Sequence, residues 1–313
     1  MKAAVYDRYG PPEVIEIREV PVPVPAAGQL LVKVAAAALN PKDAITRAGR
    51  FKRLAGPVFP KFMGYDFAGT VTALGPGMQG YKVGDAVFGM LNGWRAGACA
   101  EYLVADAQEL CKRPLALGFI EAASLPLAAQ TALQALRDLG DVGPGSRVLI
   151  HGASGGVGTL AVQIAKALGA HVTALCGRDS ADLVRGLGAD EVLDYRVTPP
   201  AELRERYDCF FDVFGNQSLG SVRHLLKPRG RYVSTVPNAR NIRDTLLTRL
   251  WPGRRGALVV VKSKADDLKT LARWIGAGAL KPVIAQVLPL SEIRRAHELI
   301  QTKRTHGKIV LTP

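Results

Sequence analysis

Val148-Leu149-Ile150-His151-Gly152-Ala153-Ser154-Gly155-Gly156-Val157-Gly158 runs directly into residues 159–168, which end at Gly169-Ala170. An apolar run, a glycine turn and a helix-period segment closed by glycine read as strand, turn and helix. That context suits a dinucleotide fingerprint: glycines let the backbone approach a pyrophosphate, and a helix N-terminus offers unpaired N–H groups and partial positive charge. In the G-x-G-x-x-G register Ala153 stands at the first glycine, while Gly155 and Gly158 keep the other two. The same stretch also fits G-x-S-x-G, the turn that presents a hydrolase nucleophile. Ser154 would then need an acid and a histidine downstream, and Asp212 with His297 or His306 are the nominal candidates. The long β-rich stretch ahead of the motif, and the lack of an H-G-G-G-type segment, favour the dinucleotide reading.

Working outward from this loop, strand-plus-helix units follow one another: 147–151 with 159–168, 171–176 with 181–187, then strands at 191–194, 209–214, 231–235 and 257–261. Alternating β and α elements predict an α/β fold with a doubly wound parallel sheet of six strands. Before it, residues 1–117 are punctuated by Pro and Gly, with short alternating runs such as Leu30-Leu31-Val32-Lys33-Val34. They read as an antiparallel β domain, with Asp43 and Gly75-Pro76-Gly77 marking loops. Residues 121–139 carry a helical pattern. After residue 262 come a helix at 265–277, a strand at 283–288, a helix at 291–301 and a strand at 308–312, which could extend the sheet or return to the first domain.

Of 313 residues 48% are apolar and 22% charged, the balance of a globular chain with room for two domains. No apolar run approaches the roughly 18 to 20 residues of a membrane helix. Lys2, Asp7 and Arg8 flank a short apolar run where a signal peptide would need a longer one, so a cytoplasmic location is expected. Cys99, Cys111, Cys176 and Cys209 are scattered and read as reduced, buried thiols. A net charge of +14 draws anions, whether nucleotide or nucleic acid, and also serves solubility. The basic clusters Arg47-Arg50-Lys52-Arg53, Arg223-Lys227-Arg229-Arg231 and residues 240–255 would be the footprint of an RNA partner, but they lack an aromatic stacking platform.

The succession Met1-Lys2-Ala3-Ala4-Val5, Leu39-Asn40-Pro41-Lys42-Asp43, Gly64-Tyr65-Asp66-Phe67-Ala68-Gly69, Val83-Gly84-Asp85-Ala86-Val87-Phe88-Gly89, Ser124-Leu125-Pro126, the glycine loop and Gly307-Lys308-Ile309-Val310-Leu311 resembles the zinc-free, quinone-reductase-like medium-chain dehydrogenases/reductases. The likeness extends over essentially the whole chain. It implies a GroES-like catalytic domain over 1–117, a Rossmann NADPH-binding domain over 118–261 and a return to the catalytic domain over 262–313. Zinc-dependent relatives would place cysteine at Asn40 and a His-Glu pair at Tyr65-Asp66, and would insert a four-cysteine lobe before Glu101, so no metal is expected.

The resemblance further implies hydride transfer from NADPH to a quinone-like or conjugated carbonyl acceptor, and a homodimer formed through strand 257–261. Asn40 and Thr131 would flank the nicotinamide end, while Ser154, Gly155, Gly156, Val157 and Gly158 hold the pyrophosphate. About 20 residues beyond the loop an NAD site carries an acid. Here Cys176-Gly177-Arg178 stands instead, with Ser180 and Tyr195 completing a pocket for a 2′-phosphate. Phe214 and Lys308 complete the expected cofactor-binding set. The rival reading of Asn40 is an Asx turn before Pro41. Ile45 stands where many relatives have a tyrosine. Tyr65 and Asp66 are then the candidate proton donors alongside Asn40, or structural residues of the β domain.

Overall fold

The computed structural model describes residues 1–248 and 253–313, which form two compact units. The first comprises Met1–Ala128, Lys262–Gly278 and Pro282–Pro313; the second comprises Ala129–Val261 and Ala279–Lys281.

The second unit is built on β1 (Arg147–His151), β2 (His171–Cys176), β3 (Glu191–Asp194), β4 (Tyr207–Asp212), β5 (Leu226–Ser234) and β6 (Arg255–Leu258). All are parallel, in the order β3-β2-β1-β4-β5-β6. Val148, Leu149 and Ile150 of β1 and Phe210 and Phe211 of β4 are fully buried, as the central strands of a two-faced sheet require. The order reverses between β1 and β4, so their carboxyl ends open a crevice in which such sheets take ligands. The last expected strand lies earlier than its apolar run suggests: β6 ends at Leu258, while Val260 is exposed. Among the described residues β6 pairs only with β5 and forms the sheet's edge.

In the first unit a sheet runs Ile284–Pro289, Lys308–Thr312, Gln29–Ala38, Asp66–Leu74, Ala86–Met90, Leu110–Lys112, with Tyr102–Asp106 also paired to Gln29–Ala38. A smaller sheet joins Glu16–Glu19, Lys2–Tyr6 and Lys61–Phe62. The strand Lys308–Thr312 lies antiparallel to Gln29–Ala38, and this brings the chain's last segment into the first unit.

Three local readings need correction. Asp43 is not in a loop but on the helix Pro41–Arg47, where its carboxylate accepts the Asn40 N–H at 2.8 Å and caps the first turn. The helical stretch 121–139 is broken: Phe119–Ala123 ends before Pro126, which starts Pro126–Leu133, and a π-helical turn Gln134–Leu139 follows. The four cysteines are free and buried. Arg47 is also no part of a basic surface: its fully buried guanidinium donates to the Gly10 carbonyl and the Gln301 amide oxygen. Arg249, in the basic stretch 240–255, lies outside the described residues. Among the described residues no helix is long and apolar enough to cross a membrane.

Candidate functional site

The candidate residues fall into two groups, one in each unit. In the second unit the carboxyl ends of β1 to β4 gather the glycine turn and its neighbours. Gly152 takes the left-handed conformation (φ +85°) that ends β1, so the conformational demand falls one residue ahead of Ala153. At Gly158 a Cβ would lie 2.1 Å from the Gly152 carbonyl oxygen, which forbids any side chain where the helix Gly156–Ala167 leaves the turn. Gly155 differs. It has an ordinary φ of −78°, and a Cβ there would meet only the Gly152 oxygen at 3.7 Å. The open space over Gly155, at the N-cap of a 12-residue helix, is what a phosphate needs to reach backbone N–H groups. Ser154, Gly156 and Val157 are partly exposed around it.

After β2, Gly177 and Arg178 are followed by the buried Ser180; Arg178 and Asp179 are exposed. No carboxylate residue ends β2. Tyr195, 43% exposed, follows β3, and Arg196 lies over it with its guanidinium carbon 5.5 Å from the ring centroid. A Cβ on Gly177 would stand 3.4 Å from an Arg196 guanidinium nitrogen, so Arg196 joins Gly177 and Tyr195. The sequence reading passed over Arg196, although its place beside Tyr195 at a strand end was a usable signal. Thr131 is buried on Pro126–Leu133, and Phe214, 47% exposed, follows β4 with its ring 5.8 Å from that of His151.

The Asp212 carboxylate is engaged within its own sheet. Its partner is His151, which pairs with it across β1 and β4 and whose Nδ1 lies 3.0 Å from Asp212 Oδ1. A carboxylate only accepts, so Nδ1 carries the proton. The Gly215 and Gln217 N–H groups and the Tyr232 hydroxyl complete the shell of Asp212. His297 is fully buried in the first unit. Among the described residues the histidine bonded to Asp212 is His151, which precedes Ser154 in the chain rather than following it as the hydrolase order requires.

In the first unit, Ala38 pairs with both Asp66 and Val310. That register brings together Asn40, two residues past Ala38, Asp66, and Lys308, two residues before Val310. All three are buried. The Asn40 amide nitrogen donates to Asp66 Oδ2 at 2.9 Å; the Lys308 ammonium donates to the Asn40 amide oxygen and lies 3.2 Å from Asp66 Oδ2; the Leu127 N–H donates to Asp66 Oδ1 at 2.7 Å. The Asn40 side chain therefore makes no Asx turn. Burial pushes the Asp66 carboxyl above the ordinary aspartate range, and the Lys308 charge and these hydrogen bonds oppose the shift. Tyr65 is buried beneath the Lys42 ammonium, which stands 3.7 Å from its ring centroid. Burial first, and the Asp43 charge second, raise the Tyr65 hydroxyl well above its usual value and keep it protonated. Among the described residues no group of three or more His, Cys, Asp or Glu gathers that could hold a metal.

The alcohol dehydrogenase GroES-like domain family matches residues 26–122, and the zinc-binding dehydrogenase family matches residues 187–311. The chain is 32% identical to the mitochondrial NAD(P)H oxidoreductase RTN4IP1 of Mus musculus, over 99% of this chain and 89% of that one. It is 34% identical to the chloroplastic NADPH-dependent alkenal/one oxidoreductase of Arabidopsis thaliana, over 100% and 80%. Among solved structures, the quinone oxidoreductase from Coxiella burnetii superposes with a TM-score of 0.92 at 33% identity, covering 100% of this chain and 99% of that one. With whole-length identity, the GroES-like match and the 3-2-1-4-5-6 sheet in agreement, the chain belongs to the quinone-oxidoreductase-like medium-chain dehydrogenases/reductases.

Proposed function

We propose that this protein is an NADPH-dependent oxidoreductase that reduces a quinone or a conjugated carbonyl without a metal. The observation that carries the cofactor half is the end of β2, where Arg178 is exposed, Arg196 covers Gly177 and the strand ends in Cys176 rather than in the acid of an NAD site, with Asp179 exposed beyond it. The space over Gly155 fits a pyrophosphate, with Ser154, Gly156, Val157 and Gly158 around it, Thr131 toward the nicotinamide end and Phe214 at the crevice wall. When bound, the reduced nicotinamide supplies the hydride. Asn40 presents an amide whose orientation is fixed by Asp66 and Lys308, suited to orienting a carboxamide or an acceptor oxygen. Asp66 has both oxygens occupied as acceptors, so it acts by positioning Asn40. The relatives named for alkenal/one and quinone reduction support the acceptor class.

The direct test is NADPH oxidation with a panel of quinones, alkenals and enoyl thioesters; no acceleration by any of them would end the oxidoreductase reading. Arg178→Ala is expected to weaken NADPH binding about ten- to a hundredfold while leaving NADH nearly unchanged, as loss of a charge-assisted bond to the 2′-phosphate requires. Titration by fluorescence checks this, and equal affinities of the unmodified protein for the two cofactors would refute it. Turnover is expected to survive both Ser154→Ala and a strong chelator. Its loss with one zinc per chain, or labelling of Ser154 by a serine-reactive phosphonate, would overturn the metal-free, non-hydrolytic assignment. The unpaired edge of β6 is proposed as the seam of a homodimer that continues the sheet across a two-fold axis. Sedimentation at micromolar concentration should return twice the chain mass, and a monomer would refute it.

A further inference from the structure

Among the described residues Lys42, the second residue past Asn40 and half buried, forms no ion pair with a carboxylate. Its ammonium donates to the Gly93 carbonyl at 2.7 Å and sits 3.7 Å from the Tyr65 ring centroid and 5.3 Å from that of Trp94. The Trp94 ring in turn lies 5.0 Å from that of Phe51, and both are partly exposed. An ammonium has three N–H donors; a carbonyl takes one and an aromatic face attracts the charge without accepting it as a base would. A partly buried cation with donors to spare, set among flat apolar rings, is the complement of a planar molecule that carries a negative oxygen.

We propose that Lys42 is the acid of this site: it receives the oxyanion that develops on a planar quinoid or enone acceptor and passes it a proton. The inference rests on the oxidoreductase function proposed above and adds the proton donor for that reaction. Hydride from the dihydronicotinamide brings two electrons and one proton to the acceptor. The Nζ–H bond of Lys42 breaks as an O–H bond forms on the acceptor oxygen, leaving a hydroquinone or an enol that relaxes to the ketone. The neutral amine regains its proton from water, so one hydride and one proton have been consumed per turnover. Phe51 and Trp94 supply stacking surface for the planar body.

Charges around Lys42 agree with this task. Burial lowers its pKa from the ordinary lysine value, and the carboxylates of Asp43 on its own helix and Asp66 on the neighbouring strand pull the other way. Tyr65 beneath it is a neutral phenol. The Gly93–Trp94 segment adds a carbonyl and a ring, and the next residue, Arg95, is paired with Asp106 and Glu109. The ammonium is thus easier to deprotonate than an exposed lysine.

Lys42→Met and Lys42→Arg test the proposal through kcat/KM for a benzoquinone against pH, together with a titration of p-nitrophenol, whose yellow anion reports its ionisation when bound. Lys42→Met should lower kcat/KM about a hundredfold near neutrality and lose the fall in rate at alkaline pH, with NADPH affinity unchanged as the check on folding. The wild-type protein should lower the ionisation point of bound p-nitrophenol, Lys42→Arg should keep that effect without restoring the rate, and Lys42→Met should abolish it. A Met variant that retains both rate and alkaline limb overturns the assignment. Should the wild-type protein reduce no acceptor, the oxidoreductase reading fails, and the p-nitrophenol titration still decides Lys42: equal ionisation in wild type and Lys42→Met overturns the oxyanion site, and a Lys42-dependent shift upholds it.

Discussion

Lys308→Met is expected to destabilise the protein by about 3–5 kcal/mol, the usual loss when one partner of a buried ion pair is removed. Asp66 is fully buried and Lys308 is 5% exposed, so water cannot take over the vacated position. The remaining contacts of Asp66, from the Asn40 amide and the Leu127 N–H, are neutral donors that cannot offset a whole charge. Burial already raises the Asp66 carboxyl and Lys308 is the chief opposing influence, so the variant should raise it further. The sign follows. A carboxyl whose folded pKa lies above its unfolded value favours the folded state as it takes up its proton, so the deficit is largest at neutral pH and shrinks as pH falls toward 4. Asp66→Asn in the Lys308→Met background should recover part of the loss, since the uncompensated charge is gone. Urea denaturation of the four proteins in this cycle measures the coupling. A loss below about 1 kcal/mol, the worth of an exposed pair, or a double variant no more stable than Lys308→Met, would remove the charge-compensating role.

The glycine loop shows what the sequence carries well. Strand, turn and helix are contiguous, so the spacing of apolar residues and glycines places β1, the turn and the helix Gly156–Ala167 within a few residues. The helical stretch 121–139 went wrong at Pro126, a local signal that was available and outweighed by the apolar run around it. Asp43 was misplaced for a different reason: a seven-residue helix starting at a proline leaves little periodicity to detect, and the cap that sustains it is the Asp43 side chain itself. The site is less legible than the fold. His151 and Asp212 are 61 residues apart and Asn40 and Lys308 are 268 apart, and each pair meets because strands are neighbours in a sheet. Motif spacing contains no such adjacency. Lys42 and Arg196 went unnoticed because a single basic residue in a chain of charge +14 is unremarkable until its surroundings are known.

His297→Leu is expected to gain stability over the wild-type protein as pH falls. It is fully buried on Ile293–Gln301, neither ring nitrogen has a hydrogen-bond partner, and burial with the nearby Arg47 charge pushes its pKa down to about 3. In the unfolded chain it titrates near the ordinary value of about 6.5. Above that pH the ring is neutral in both states and contributes no pH dependence. As pH falls below about 6.5 the unfolded chain binds a proton that the folded chain refuses, and stability drops by about 1.4 kcal/mol per pH unit until the folded ring protonates. Asp43 works against this, because burial pushes its carboxyl up to about 7 and acidification then favours the folded state. The two residues nearly cancel over their shared window, so the wild-type acid limb alone reveals neither. His297→Leu isolates the histidine, since Asp43 is common to both proteins. The variant should match or exceed wild-type stability at neutral pH, because a buried polar ring without partners is replaced by an apolar side chain. Its advantage should grow by about 1.4 kcal/mol for each unit below pH 6.5, read from urea midpoints at pH 7, 6, 5 and 4. Parallel curves for the two proteins across that range would show that His297 is not held neutral by its surroundings.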